Sequence, residues 1–322
     1  MNGTNIMRER QNYIRAIFDM VILLPWTLID ANIRCGRLAN EFSVIIDPLI
    51  YEFTECDSER GWLRVRLLPA AIKGAFLMQN YAKMAEKHLD QKLGLKAGVF
   101  TRLYDDLIDG SPENTFLHKT RQLFDGGDFE PSNQFEHLFL VLFQSIENEL
   151  PSSTYQICYN ALLEVHNYQF QSRKQTTQKI SATELKRITT FKGAKGTLVL
   201  LSMVKDDMSE KEILIVEELG SCFQHIDDYE DYPDDLRRGV STLATRGMIN
   251  FIQLARWISE LAILLEYTYG RQKTRIFIVG LYYWLLMAFF SRILNKLKLK
   301  RSSDYRTKDK ISYILPIQLL FS

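Results

Sequence analysis

Cysteine is scarce in this chain. There are four, Cys35, Cys56, Cys158 and Cys222, and no two stand at a paired spacing. That excludes a disulfide framework or a paired-cysteine zinc site, and it places the expected location in the reducing cytoplasm. A surplus of one charge is also missing. Forty basic residues face 39 acidic ones for a net charge of +1, which gives no general attraction to nucleic acid, and no such partner is expected. Long apolar runs are missing too. The run Ile276 to Ser291 has 16 residues without charge, short of the roughly eighteen to twenty that cross a bilayer, and it reads as a buried core helix. The start of the chain lacks the charged, apolar and cleavage-site order of a signal peptide. No internal repeat or low-complexity linker is visible. Only 8 prolines and 16 glycines punctuate 322 residues, mostly between periodic segments, which argues for long helices.

What is present is a sizeable core. Apolar residues make up 46% and charged ones 25% of the chain, as expected of a soluble globular protein. The reading is an all-α single domain over 1–322, with N-terminal helices to residue 55 and a basic tail from 292 to 322. Residues 11–50 give two or three helical runs interrupted by Pro25 and Gly36, and the patch Met20 to Trp26 reads as a packing surface. Residues 57–69 read as a solvated turn. Further helices are expected at 67–91, 97–109, 131–149, 151–173, 241–269 and 274–298. Ser181 with Glu184, and Ser209 with Glu212, have the spacing of capping boxes and mark two more helix starts.

Two acidic stretches carry the chemistry. Gln224, Asp227, Asp228 and Asp231 fall at i, i+3, i+4 and i+7, so a helix puts all four on one face. No basic residue lies between the carboxylates, and the upstream flank of Ile213, Leu214, Ile215, Val216, Leu219 and Phe223 is that of a core helix. A solvated acidic face fits this poorly; a bound cation fits it well. Asp105, Asp106 and Asp109 form a second such set at the end of another apolar stretch. Hard oxygen ligands of this kind suit magnesium, which is held by one or two carboxylates together with water and substrate phosphates.

The pair resembles the two aspartate-rich motifs of the class I isoprenoid synthases, the superfamily of trans-prenyltransferases and terpene synthases. Gly220-x-x-x-Gln224-x-x-Asp227-Asp228-x-x-Asp231 is similar to the second motif of the polyprenyl synthetases. Gly239-Val240-Ser241-Thr242-Leu243 resembles the segment that follows it, with Val240 where lysine is usual. The resemblance spans roughly residues 60–250. It implies helices around a central cavity, both motifs at its mouth, a homodimer, and about three Mg2+ ions held by Asp105, Asp106, Asp109, Asp227, Asp228 and Asp231. It also implies catalytic roles for Asp105, Asp106 and Asp228 and diphosphate contacts from Lys192, Gln224, and Arg237 or Arg238. Lys192 stands where the family has a lysine on a broken helix; Lys195 is the alternative. The loop after Pro233 would close over the diphosphate.

The implied substrate is a prenyl diphosphate, and three readings follow. A terpene synthase ionises one substrate and cyclises or rearranges it. A trans-prenyltransferase joins an allylic diphosphate to isopentenyl diphosphate; the family's basic segment for that partner survives at most as Arg64 and Arg66 before Pro69, and its arginine pair after the first motif is absent, with Lys119 and Arg121 off the spacing. A non-catalytic subunit of a heteromeric synthase usually loses its aspartates, and all six are here. The terpene synthase is favoured. His166, Gln169 and Arg173 share a helix face that reads as solvated or as a polar stripe of the site. Phe76, Phe100, Tyr104, Phe191 and Phe223 are candidates to stabilise a cation or simply to pack. The basic run Lys296 to Arg301 reads as solvated, as a flap over the acidic site, or as a peripheral membrane contact.

Overall fold

The computed structural model describes residues 3–111, 115–177 and 180–296 and contains helices and no strand among them. In chain order these are α1 (Gly3–Ile45), α2 (Asp47–Glu52), α3 (Asp57–Ala85), α4 (Gln91–Gly110), α5 (Thr115–Phe124), α6 (Gln134–Glu149), α7 (Ser152–Ser172), α8 (Lys174–Thr177), α9 (Ala182–Ser202), α10 (Glu210–Glu230), α11 (Tyr232–Arg238), α12 (Phe251–Tyr269) and α13 (Arg271–Lys296). The protein is all-α. The basic tail, from residue 297 on, lies outside the described residues, as do 112–114 after the first motif.

The chain packs as two compact units. Unit one takes the described residues within Met1–Ile29, Asn167–Leu198 and Met208–Thr307; unit two takes those within Asp30–His166 and Val199–Asp207.

In unit two, Ala31, Cys35, Leu38 and Phe42 form a buried stripe on α1 at helical spacing. That stripe and the ion pairs further up explain why α1 is unbroken where Pro25 and Gly36 were expected to interrupt it. Arg15 pairs with Glu266 at 3.1 Å and Asp19 with Arg271 at 3.1 Å, within unit one. A proline forfeits one backbone bond and bends a helix without ending it when both flanks are held. A mid-helix glycine costs only about 1 kcal/mol. The segment 57–69, expected as a turn, is the first part of α3. Asp57 and Glu59 sit in its first turn, against the positive end of the helix. Asp90 caps α4 by accepting from the Lys92 amide at 2.9 Å, so that helix starts well before residue 97.

α3 and α4 cross through glycine. A Cβ on Gly74 would lie 2.8 Å from the Gly98 Cα, and one on Gly98 would lie 2.6 Å from the Ala70 carbonyl oxygen. The antiparallel register this sets brings Arg66, eight residues before Gly74, against Asp106, eight residues after Gly98.

Unit one uses the same device. A Cβ on Gly193 of α9 would lie 2.5 Å from the Gly220 carbonyl oxygen and from Gln224 Cβ on α10. The small residues from Gly193 to Gly196, which suited either a helix break or a small-residue helix crossing, form the crossing and let α10 approach. Ser209 and Glu212 complete the capping box of α10, and the Ser181 hydroxyl caps α9 by accepting from the Glu184 amide at 3.1 Å. Residues 232–238, expected as a charged loop, are helix α11. Pro233 occupies its first turn, where no N–H is needed, and Gly239 ends it at φ 71°. Residues 241–249 are turns rather than the start of α12: Leu243 is buried against Ile180, Leu185 and Ile188, and Asn250 with Gln253 forms the true capping box. α13 is not the buried core helix expected from its composition. One face is buried through Ile278, Val279, Leu281, Leu285 and Ala288, while Met287 and Phe290 are exposed.

Candidate functional site

In unit one the apolar flank of α10 buries Ile215, Val216, Leu219, Cys222 and Ile226. That burial carries Asp228 inside with it. Its side chain is 8% exposed. Gln224, one turn earlier, donates from Nε2 to Oδ1 at 3.0 Å, while Oδ2 is buried without a hydrogen-bond partner. Burial pushes the Asp228 carboxyl up to about 7. The Gln224 hydrogen bond pulls it back, Asp227 and Asp235 push it further, and Lys192 opposes them. Asp235 on α11 is likewise pushed up to about 6, by burial and by Asp227, with Arg238 opposing. Gln224, Asp227, Asp228, Lys192 and Asp235 therefore share one electrostatic environment. Asp231 is exposed at the junction of α10 and α11, and its amide donates to the Asp227 carbonyl at 2.8 Å.

The basic residues differ in what they are tied to. Lys195 pairs with Glu217 at 2.7 Å, which leaves Lys192 as the α9 lysine that acts on Asp228. Arg237 is exposed and pairs with Asp234 on its own helix, whereas the charge of Arg238 reaches Asp235.

In unit two the motif on α4 is already neutralised. The Arg66 guanidinium grips both oxygens of Asp106, with Nε 2.8 Å from Oδ2 and Nη2 on Oδ1. Arg102, one turn back, adds a third contact at 2.8 Å. Arg66 also lies 5.2 Å from the ring of Trp62 and is raised by Asp106 and, after it, Asp109. Asp109 is exposed and Asp105 is half-buried. Arg64 is engaged by Asp47 at 3.0 Å, and Lys119 by Glu136 at 3.0 Å and the Glu130 carbonyl at 2.9 Å. These cations, the sequence candidates for a second diphosphate, are each bound to an acceptor.

His166 is buried and lies in this unit. Its Nδ1 is 2.7 Å from the Tyr104 hydroxyl. Burial, with Arg121 adding to it, lowers its pKa to about 4, and the Leu117 carbonyl accepts from the ring. The neutral imidazole therefore accepts from Tyr104. Around the pair, Phe100, Phe116, Phe124, Phe139 and Phe143 pack with ring centroids 5.0 to 6.3 Å apart. Phe100 and Tyr104 are core rings here. Phe76 stacks on Arg34 at 4.1 Å, and Phe223 packs on Trp284. Phe191 is different: 38% exposed and stacked on Tyr168 at 5.2 Å, it is the residue before Lys192.

Three contributors were not foreseen. Asp235 lies past Pro233, where a loop was expected. Arg102 was readable as the residue four before Asp106. Arg66 meets Asp106 only through the α3–α4 crossing.

Among the described residues no three His, Cys, Asp or Glu side chains converge tightly enough to hold a metal by themselves. Magnesium requires less, one or two carboxylates with water and phosphate oxygens. Asp228, with an orphaned buried oxygen beside Asp227, fits such a cation. Asp106, with both oxygens taken by guanidinium groups, does not fit in this arrangement. Comparison with models of known protein families gives no match, and comparison with curated proteins gives none.

Proposed function

We propose that this protein is a class I terpene synthase that ionises a linear prenyl diphosphate and lets the carbocation cyclise or rearrange, releasing diphosphate. The observation that carries the reading is Asp228: a carboxylate buried in an apolar helix, with one oxygen held by Gln224 and the other unpartnered, beside Asp227. Burying such a group without a counter-charge is costly, and a bound cation removes that cost. Asp227 and Asp228, with Asp231 at the helix end, would hold magnesium. When bound, magnesium would neutralise the diphosphate leaving group and stabilise the charge that develops on it.

The residues of this chain do the rest. Gln224 fixes Oδ1 of Asp228 and leaves Oδ2 for the ion. Lys192, with its charge beside the same carboxylate, binds a diphosphate oxygen as a point charge. Arg238 supplies a planar donor set from α11, in place of the lysine that Val240 replaces. The allylic cation needs dry surroundings, and an aromatic face contributes on the order of 1–2 kcal/mol when desolvated; Phe191, stacked on Tyr168 next to Lys192, is the ring assigned that role. Asp105, Asp106 and Asp109 are the second carboxylate set of the reading, and Arg66 and Arg102 must release Asp106 before it takes a metal.

Chain elongation with isopentenyl diphosphate is disfavoured because Arg64, Arg66 and Lys119 are tied to acceptors. The deciding experiment is product analysis of the purified protein with Mg2+ and geranyl, farnesyl, geranylgeranyl or geranylfarnesyl diphosphate, each with and without isopentenyl diphosphate. A hydrocarbon or terpene alcohol formed without isopentenyl diphosphate is expected. Longer prenyl diphosphates formed only in its presence would replace this reading with a prenyltransferase.

A further inference from the structure

α1, α12 and α13 meet around a narrow cleft in unit one. α12 turns Ser259, Ala262, Ile263 and Glu266 toward it, and α13 turns Arg275, Ile278, Val279 and Tyr282. Each set falls at i, i+3, i+4 and i+7, so each is one face of its helix. The two helices run antiparallel from Gly270, and the Tyr282 hydroxyl reaches the Ala255 carbonyl at 3.5 Å. Glu266 and Arg275 therefore stand at the turn end of the cleft and Ser259 at the other, roughly 10 Å further along α12. The enclosed space is about 40 Å3. A water-sized group needs roughly 10–15 Å3 on that scale, so the cleft admits roughly three or four methylene-sized groups in file and no ring.

The turn end carries one cation too many. Glu266 pairs with Arg15 at 3.1 Å and lies 3.9 Å from Arg271, which pairs with Asp19 at 3.1 Å. That chain matches two cations with two anions and ties α1 to the turn. Arg275, one turn beyond Arg271, is exposed and has no ion pair among the described residues. The middle of the cleft is apolar, walled by Ala262, Ile263, Ile278 and Val279. At the far end Ser259 is only 7% exposed, and its hydroxyl makes no hydrogen bond among the described residues. A buried hydroxyl left unpaired costs free energy that a polar atom of a ligand would recover.

We propose that this cleft binds a short, unbranched carboxylate with a hydroxyl at its far end: the carboxylate on Arg275, the chain between Ile263 and Ile278, and the hydroxyl on Ser259. A prenyl diphosphate fits here poorly, because its chain is branched and one uncommitted guanidinium does not balance its head group. A dicarboxylate also fits poorly, because its second charge would be buried at Ser259 without a counter-charge. The proposal is independent of the terpene synthase reading.

The test is a ligand-observed NMR titration of the full chain with 6-hydroxyhexanoate, hexanoate and 1,6-hexanediol. The hydroxy acid is expected to bind about fivefold more tightly than hexanoate, the worth of one hydrogen bond. It should bind roughly tenfold more tightly than the diol, which lacks the charge. Ser259→Ala should make the two acids equal. Arg275→Gln should weaken both acids roughly tenfold and leave the diol unchanged. Neither variant alters the apolar walls, so circular dichroism should not change. Ala262→Leu, which fills the middle of the cleft, should abolish binding of all three; if it fails to fold, the other two variants decide. Absence of saturable binding, equal affinity for the two acids in the wild type, or a preference that persists in Ser259→Ala would overturn the proposal. So would acid binding that a folded Ala262→Leu or Arg275→Gln leaves unchanged.

Discussion

On α4 the motif helix is pressed against α3 through Gly74 and Gly98; on α10 it is pressed against α9 through Gly193 and Gly220. In each pair the register set by glycine carries a basic residue of the neighbouring helix toward the aspartates. The outcome differs. Asp106 is mostly buried too but held by two arginines, so its charge is compensated before any ligand arrives. Asp228 is buried, held on one oxygen by an amide, and influenced by a lysine that only partly offsets its carboxylate neighbours. Similar motifs on similar helix pairs thus reach different electrostatic states, because a guanidinium can take both oxygens of a carboxylate and an amide one turn away cannot. The α4 motif is self-neutralised, whereas Asp228 of the α10 motif keeps one buried oxygen without a hydrogen-bond partner.

The sharpest way to break this comparison is to remove each charge with an isostere. Asp228→Asn should lower turnover at least a thousandfold, yet the variant should melt at or above the wild-type temperature at pH 8, because it removes an uncompensated buried charge. Asp106→Asn should also lower turnover but should reduce stability by roughly 1–2 kcal/mol, because it leaves Arg66 and Arg102 facing a neutral group. Scanning calorimetry with product assays reads both. If Asp228→Asn destabilises the fold, or keeps substantial activity, the contrast drawn between the motifs is wrong.

The crossings come next. Gly220→Ala puts a methyl 2.6 Å from Thr197 Cβ, and Gly98→Ala puts one 2.6 Å from a carbonyl oxygen. Neither contact can relax without shifting a helix, so each variant should lose roughly 2–3 kcal/mol in denaturant unfolding. Gly98→Ala should further release Asp106 from Arg66.

How much of this was legible beforehand follows from the range of the forces involved. The capping box at Ser209, the hydroxyl cap at Ser181 and the one-face spacing of Gln224, Asp227 and Asp228 are local, and they appear where the spacing puts them. Pro25 and Gly36 misled because a breaker is judged locally while its tolerance is set by packing from elsewhere. The stripe from Ala31 to Phe42 outweighed local propensity. Arg102 was visible as an i, i+4 partner of Asp106. Arg66, 40 residues away, was visible only as a misplaced fragment of a motif, since its partner depends on a crossing that no spacing announces. Asp235 was hidden by reading Pro233 as an end when it is the first turn of a new helix.

Titration separates the units further. The Asp228 carboxyl sits near 7 against an ordinary 3.8, so the native state holds its proton longer than the unfolded chain; the associated stability is full in acid and is lost as pH rises from about 4 to about 7. His166 sits near 4 against 6.5, so the unfolded chain takes its proton first; that stability is full above 6.5 and is lost as pH falls toward 4, by roughly 3 kcal/mol. Between pH 4 and 6.5 the two slopes oppose each other. Asp228→Asn should expose the histidine slope, with stability rising with pH. His166→Gln, which keeps an acceptor for Tyr104, should expose the aspartate slope, with stability falling. Melting temperatures across that window that tilt the same way in both variants would refute the assignment.

The smallest effect tests which α9 lysine belongs to the site. Lys192 and Lys195 are one turn apart on the same helix, and the sequence left both open. Lys195 is committed to Glu217, with both side chains mostly buried, so Lys195→Met should lower stability by roughly 1–3 kcal/mol, because Glu217 loses its partner, and leave kcat/KM unchanged. Lys192 reaches Asp228 through its field and has a diphosphate as its expected partner. Lys192→Met should lower kcat/KM about 10- to 100-fold, the loss of one charge-assisted hydrogen bond of roughly 1.5–3 kcal/mol. It should also raise the Asp228 pKa further, because the lysine opposes that shift. The alkaline limb gained as Asp228 ionises would then move to higher pH in Lys192→Met and stay in place in Lys195→Met. A movement in the second variant but not the first would transfer the diphosphate contact to Lys195.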